Sequence, residues 1–373
     1  MTQKRIYLDH NATTPLKPMV KKAMEAALDL PGNASSTHKA GREARRLIEA
    51  ARAQVASLVD AGPRAVIVFT SGATEANNMA LRGSGCERVI VSAIEHPSVL
   101  STPGIEITPI LADGTLNVFA LDKMLEGNDR PTLLSVMLVN NETGIIQPVE
   151  AVVEIAKRRG ALVHCDAVQA AGRIQVDIQK LGVDYLSLSA HKMGGPQGAG
   201  CLIMANCVNV SPLLLGGGQE KGLRAGTENV AAIAGFGMAA ELAIQDMAKM
   251  QLLAALRDEL EQKLSQFAPD IRFFGKDASR VSNTSLFAVP GMPAEMQLIA
   301  LDMEGVFVSN GSACASGTVK TSHVLAAMGV TGGEAQCAIR VSLGWNSTAE
   351  DVECFLAAWE KMHARVKSRR GTA

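Results

Sequence analysis

Six short segments in the first 205 residues are apolar almost without interruption. They are AVIVFT (65–70), RVIVSAIEH (88–96), TLLSVMLVN (132–140), ALVHCDAVQ (161–169), DYLSLSAHK (184–192) and GCLIMA (200–205). A strand with one wet face alternates polar and apolar residues. Most of these do not, so both faces must be covered, as in a mostly parallel α/β sheet. Helical stretches such as EANNMALRG and VEAVVEIAKRRG separate the segments, and the glycine closing each suits a helix C-terminus. No repeat of 20–50 residues interrupts this rhythm.

Beyond residue 228 the pattern changes. NVAAIAGFGMAAELAIQDMAKMQLLAALRDELEQKLSQF is rich in helix formers and predicts one or two helices leading out of a first domain. From about residue 270, strand-like VSNTSLFAV and CAIRVSLGW mix with helical sequence and predict a smaller α/β domain. A chain of 373 residues has room for both. The expected division is 16–247 for the large domain and 1–15 with 248–373 for the small one. The basic end ARVKSRRGTA reads as a frayed terminus.

Composition narrows the function. Lys and Arg number 36 against 37 Asp and Glu, so no broad basic field awaits a polyanion. Aromatic residues are 3%, too few for base stacking, so nucleic-acid binding is not expected. Seven cysteines, with no C-x-x-C, argue against a disulfide framework or a structural zinc and for a reducing compartment. No metal site is expected. The N-terminus lacks the apolar core of a secretory signal, and no apolar run reaches about 18 residues. The expected location is the cytoplasm, without membrane attachment.

The polar residues concentrate where the strands end. TSGATEANN follows the first strand, Glu95-His96-Pro97 closes the second, and NNETG follows the third. Asp166 and Gln169 close the fourth; Ser189, His191 and Lys192 close the fifth. In open α/β sheets, ligands bind at the carboxyl ends of strands, so these groups converge on one crevice. Gly72, Ala73 and Thr74 open a helix, whose free N–H groups and dipole favour a phosphate. Asp166 can hold a pyridinium nitrogen protonated, and Lys192, desolvated beside such a ring, is a usable amine nucleophile. His96 can stack on the ring and shuttle protons. Asn141 and Gln169 are donors for a ring oxygen or a substrate carboxylate. Each residue alone also has a plainer use: a small-residue turn, a cap, a solvated lysine, a loop amide. The combination in this order points to pyridoxal 5'-phosphate.

A second centre is Cys314 in SNGSACASGTVKTSH. Its Gly, Ser and Ala neighbours read as a loop, whereas Cys165 and Cys201 sit in apolar strands as packing. An exposed thiol of lowered pKa is a good nucleophile; the plain alternative is a fortuitous surface cysteine.

YLDHNATTP, TSGATEANN, EHPSVL, VNNETGIIQP, HCDAVQAAG, SLSAHKMGGPQGAG, GGGQEKGLRAGTENV and SNGSACASG together resemble the cysteine desulfurases of the NifS/IscS type. These are class V aminotransferase-family enzymes of the pyridoxal-phosphate fold type I, and the likeness runs from about residue 6 to about 345. The resemblance implies a large domain with a mostly parallel mixed sheet, and a smaller C-terminal α/β domain carrying a catalytic cysteine loop at about 309–322. It implies that Lys192 bonds the cofactor aldehyde, Asp166 pairs with the ring nitrogen, His96 stacks on the ring and Gln169 bonds the phenolic oxygen. Ala73, Thr74, Ser189 and His191 match the phosphate cradle. Thr227 matches a phosphate ligand supplied by the neighbouring subunit of a homodimer. Asn141 and Arg340 match a clamp for the carboxylate of the substrate, L-cysteine. Cys314 would take the sulfur as a persulfide, leaving L-alanine. The long cysteine loop resembles the subgroup that hands sulfur directly to an iron–sulfur scaffold or a sulfur carrier, while the short C-terminal tail departs from housekeeping iron–sulfur members. Two rivals remain: another class V enzyme, with no use for a thiol at 314, and a sulfur-relay protein that dispenses with catalysis.

Overall fold

The computed structural model describes residues 5–205, 208–310 and 321–370. Seven strands form its main sheet, in the spatial order Val66–Thr70, Gly200–Met204, Tyr185–Ser189, Leu162–Asp166, Thr132–Met137, Arg88–Ser92 and Glu106–Thr108. Gly200–Met204 runs antiparallel to both neighbours; the other pairings are parallel. All six apolar segments supply a strand, and helices cover the sheet as continuous apolarity requires.

The strands are shorter than the apolar segments that announce them. Thr132–Met137 stops before Asn140, Leu162–Asp166 before Gln169, and Tyr185–Ser189 before Lys192. The polar tails leave the ladder and form the turns at its carboxyl edge. The seventh strand, Glu106–Thr108, was not expected. It is an edge strand of three residues with Ile107 exposed, too short and too mixed to show a period.

Past the sheet come two helices, Val230–Gln245 and Met247–Phe267, bent by 66° at the break. The single apolar stretch thus resolves into a pair, with Asp246 at the break bonded to Lys17 Nζ at 2.8 Å. No single helix among the described residues is long and apolar enough to cross a membrane.

A three-stranded antiparallel sheet, ordered Ala338–Ser342, Thr284–Ala288, Arg272–Phe273, organises a second apolar core. Leu260, Leu264, Phe287, Ile339, Phe355 and Trp359 fill it, apart from the cluster around the main sheet. The chain start belongs with this second core: Ile6–Tyr7 pairs in parallel with Val306–Phe307, and Asp9 bridges Ser342. Residues 11–13 then reach the carboxyl edge of the main sheet, and Arg340 reaches it beside them: Asn11 Nδ2 and Arg340 Nη1 donate to the same Asn141 carbonyl. The site is therefore assembled from both cores.

Candidate active site

A cavity of about 540 Å³ opens at the carboxyl edge of the main sheet. Ala73, Thr74, His96, Asn141, Asp166, Gln169, Ser189, His191, Lys192 and Arg340 all line it. Of the residues expected from sequence, Thr227 does not line it; it stands exposed on a separate loop. Cys314 lies outside the described residues.

The cavity floor opens a helix. Ala73–Gly83 starts after Gly72 with no side chain capping it, so its first N–H groups face the cavity unclaimed by a cap. Its turn lies directly on the next strand: a Cβ at Gly200 would come 2.7 Å from Gly72 Cα, so only glycine fits there. Glu75, in the first turn, accepts from Ser71 N at 2.7 Å and pairs with Arg224 at 2.9 Å.

Asp166 ends its strand buried, at 6% exposure. Its Oδ1 accepts from Val168 N at 3.0 Å and its Oδ2 from Asn77 Nδ2 at 2.8 Å. Both donors fix the direction of the carboxylate. His96 Nδ1 accepts from Ser98 N at 3.1 Å and lies 2.8 Å from Ser98 Oγ, which leaves its proton on Nε2. Burial holds His96 below its ordinary pKa, and Lys192 and His323 act in the same direction while Asp166 opposes them. The imidazole is neutral near pH 7. Lys192 follows a strand end in a short 3₁₀ turn, Ala190–Lys192. Its Nζ donates to Asn11 O at 2.6 Å and Ala12 O at 2.7 Å.

Arg340, 1% exposed, reaches in from the second core. Its Nη2 donates to Asp9 Oδ1 at 2.6 Å and its Nη1 to Asn141 O at 2.8 Å. Its Nε is buried with no hydrogen-bond partner among the described residues. A buried guanidinium N–H without an acceptor is costly, and an anion entering the cavity is the group that would relieve it.

Two segments frame the rim. Ser309 exchanges backbone hydrogen bonds with Arg340, at 3.2 and 2.6 Å, and Ser322 Oγ donates to buried Glu142 Oε2 at 2.5 Å. Ser309 and Ser322, the nearest described contacts on either side of Cys314 in the sequence, are thus bonded to Arg340 and to Glu142, the chain neighbour of Asn141; Arg340 and Asn141 both line the cavity. Burial raises the Glu142 carboxyl above its usual range, as it does for Glu95, which is lifted to about 8. Burial also pushes the thiols of Cys165 and Cys201 up, which leaves them inert.

The Thr227 loop is separately braced. Glu220 and Lys221 take left-handed conformations, φ 45° and 59°, which non-glycine residues adopt at a cost of about 1–2 kcal/mol each. Arg52 grips the buried Glu220 carboxylate with both Nη atoms at 2.9 and 3.0 Å, and Phe69 N donates to it at 2.8 Å.

Sequence reasoning missed Asn77, Asn11 and Thr13, all of which line the cavity. The signal for Asn77 was available: a polar residue on the buried side of an amphipathic helix, 1% exposed.

The buried histidines give a test of the electrostatics. His10, His164 and His191 are each lowered from 6.5 to about 4, with burial the largest cause. The unfolded chain binds those protons below 6.5, the folded chain only near 4. Stability is therefore present above pH 6.5 and lost as pH falls toward 4. His164, held between Ser135 Oγ at 2.8 Å and Ser187 Oγ at 2.9 Å, does not line the cavity. His164→Gln should flatten the fall of Tm between pH 6.5 and 4. A Tm–pH curve parallel to that of the parent protein would contradict this.

A family model described as "Aminotransferase class-V" matches residues 6–355. A protein of Dictyoglomus turgidum named "Cysteine desulfurase IscS" is 40% identical over 98% of this chain and 96% of its own length. A "Cysteine desulfurase" of Sinorhizobium fredii is 41% identical over 94% of each chain. Among solved structures, a NifS-like protein from Rickettsia africae superposes with a TM-score of 0.90 at 36% identity, covering 97% of this chain and 100% of that one.

Proposed function

The chain belongs to the class V aminotransferase family and is a pyridoxal-phosphate-dependent cysteine desulfurase, and on that premise we propose a role for each residue of its cavity. What carries the proposal is a single juxtaposition: the Asp166 carboxylate, the Lys192 amine and an uncapped helix start all face one 540 Å³ cavity. The donor set fits the cofactor. The Ala73 and Thr74 end of the helix, with Ser189 and His191, suits its phosphate; Asp166 suits a protonated ring nitrogen; Gln169 suits the ring oxygen; Lys192 suits the aldehyde. When bound, the cofactor supplies a sink for negative charge at the substrate α-carbon.

The rest is the work of the chain. Asn141 and Arg340 hold the L-cysteine carboxylate, for which the buried Arg340 Nε is the waiting donor. Asp166 keeps the ring nitrogen charged. Lys192 removes the α-proton, and neutral His96, in the lining of the same cavity, is a second group that can hold or pass a proton. The Cys314 thiolate attacks the substrate sulfur. An S–S bond forms as the C–S bond breaks; carbon keeps the electron pair and takes a proton. L-Alanine leaves, and Cys314 carries a persulfide. The rim attachment of Ser309 and Ser322 supports Cys314 in this role.

Thr227, exposed and not among the lining of its own cavity, is read as a phosphate ligand for the partner subunit of a homodimer. The braced turn at Glu220–Lys221 supports a loop held for a purpose. The persulfide passes to an acceptor protein, an iron–sulfur scaffold or a sulfur carrier, in the cytoplasm. The separate apolar cores support a division into 16–247 and 1–15 with 248–373, whose small part carries the loop at about 309–322.

Cys314→Ala tests the assignment. The variant should bind the cofactor with an unchanged visible spectrum and fail to release sulfide from L-cysteine. Sulfide release at the parent rate would remove Cys314 from the reaction and favour another class V activity.

A further inference from the structure

Arg173 is a buried cation that no part of the reaction has claimed. It follows the strand-end segment of Asp166 and Gln169 and is 5% exposed. Among the described residues no carboxylate forms an ion pair with it. Asp246 lines the same small gap as Arg173 and Lys192, and Lys17 occupies its carboxylate at 2.8 Å. The other charged or titratable groups around it are His10, His191, Lys192 and Arg340. The two histidines are held neutral, and burial with the Arg340 charge pulls Arg173 itself down to about 9.

What Arg173 does touch is specific. Its Nη1 donates to Gln169 O at 2.8 Å and also to Gln169 Oε1. Its Nη2 donates to His10 O at 3.4 Å. The His10 segment is itself wedged: a Cβ at Gly344 would fall 1.8 Å from His10 Nδ1.

Guanidinium is a donor only. The end of the Gln169 amide that faces Arg173 must therefore be the oxygen, and the NH₂ must face the other way. That nitrogen donates to Asn11 O at 2.9 Å, the carbonyl that also receives Lys192 Nζ at 2.6 Å on the cavity wall. An amide NH₂ has two hydrogens, so one is left for the cavity. A Gln side chain alone could present either end to a ligand; beside Arg173 it can present only the donor.

We propose that Arg173 is a positioning residue: it locks the Gln169 side chain so that Nε2 is offered to the ring oxygen of the bound cofactor. This rests on reading Gln169 as the donor to that oxygen. Its consequence is electrostatic. A fixed donor stabilises the oxygen as an anion, most of all when the Lys192 linkage has lost its proton and no longer shares it with that oxygen. The pH at which the linkage deprotonates is thereby held down.

The test is a pH titration of the visible absorption of the reconstituted holoprotein. Arg173→Met should raise the midpoint by about one pH unit, the scale of one hydrogen bond to a charged oxygen. Gln169→Leu should raise it by the same amount, and the double variant by no more than either alone. If Arg173→Met does not fold, Arg173→Gln, which can present either a donor or an acceptor to Gln169, should raise the midpoint likewise. A shift in Gln169→Leu with none in the Arg173 variants overturns the inference and leaves the role of Gln169 standing. No shift in any variant overturns both. Full additivity in the double variant means that Arg173 acts independently of Gln169, which also overturns the inference.

Discussion

Lys192→Ala should leave a folded protein that no longer releases sulfide from L-cysteine. The acid–base role alone accounts for a fall of about 10²–10⁴-fold in kcat, and losing the covalent anchor of the cofactor adds to it. The fold should tolerate the change. Nζ satisfies two carbonyls, Asn11 O and Ala12 O, at the edge of an open cavity, where water can replace it. The stability loss should stay near about 1–2 kcal/mol. Circular dichroism and a melting curve check the fold, and a sulfide assay checks the rate. A variant that retained a tenth of the parent kcat would show that the catalytic amine lies elsewhere.

Arg340→Ala should do damage of two kinds. Its guanidinium is 1% exposed and joins three parts of the molecule: the strand that carries it, Asp9 from the chain start and the Asn141 carbonyl. Truncation leaves Asp9 without its 2.6 Å partner, an acceptor without a donor, and a void. Breaking a buried pair typically costs about 3–5 kcal/mol. The lower end applies, because the Asp9 side chain keeps 19% of its exposure. On activity, loss of a buried charge partner for the substrate carboxylate is worth about 2–5 kcal/mol, or about 30-fold to about 5,000-fold in kcat/KM. The loss should appear mainly in KM, since the carboxylate is bound alike in the ground and transition states. Arg340→Lys should restore the charge but only part of the function, because a point charge cannot serve Asp9, Asn141 O and a substrate together. A KM for L-cysteine within about twofold of the parent value, small against that range, would remove Arg340 from substrate binding.

The sequence was most informative where periodicity and chemistry met. Doubly apolar strands announced the sheet, and a polar residue just past each strand end announced the cavity. Ala73, His96, Asp166, Ser189 and Lys192 became visible in that way, because a sheet with parallel strands brings their ends to one edge. Arg340 was not visible so: it lies within an antiparallel strand of the second core, where an arginine reads as a surface ion pair until the tertiary fold turns it inward. Asn77 and the Asn11–Thr13 segment were missed for a related reason. Each acts through a hydrogen bond whose partner is distant in the chain, and no local pattern records that. Arg173 bonds Gln169 only four positions away, but the direction of that amide is also set by distant Asn11, which spacing does not show. Thr227 came only from the family resemblance. Its loop shows no alternation, and its bracing depends on Arg52 reaching Glu220 across 168 positions. The edge strand at Glu106–Thr108 escaped because three residues cannot display a period.

The most direct measurement is to reconstitute the protein with pyridoxal phosphate, reduce the linkage with borohydride and map the labelled peptide by mass spectrometry. The expected result is one label per chain, on Lys192 within SLSAHKMGG, and none after Lys192→Ala. A label on another lysine, or a protein that takes up no cofactor while remaining folded, would contradict the assignment of this cavity.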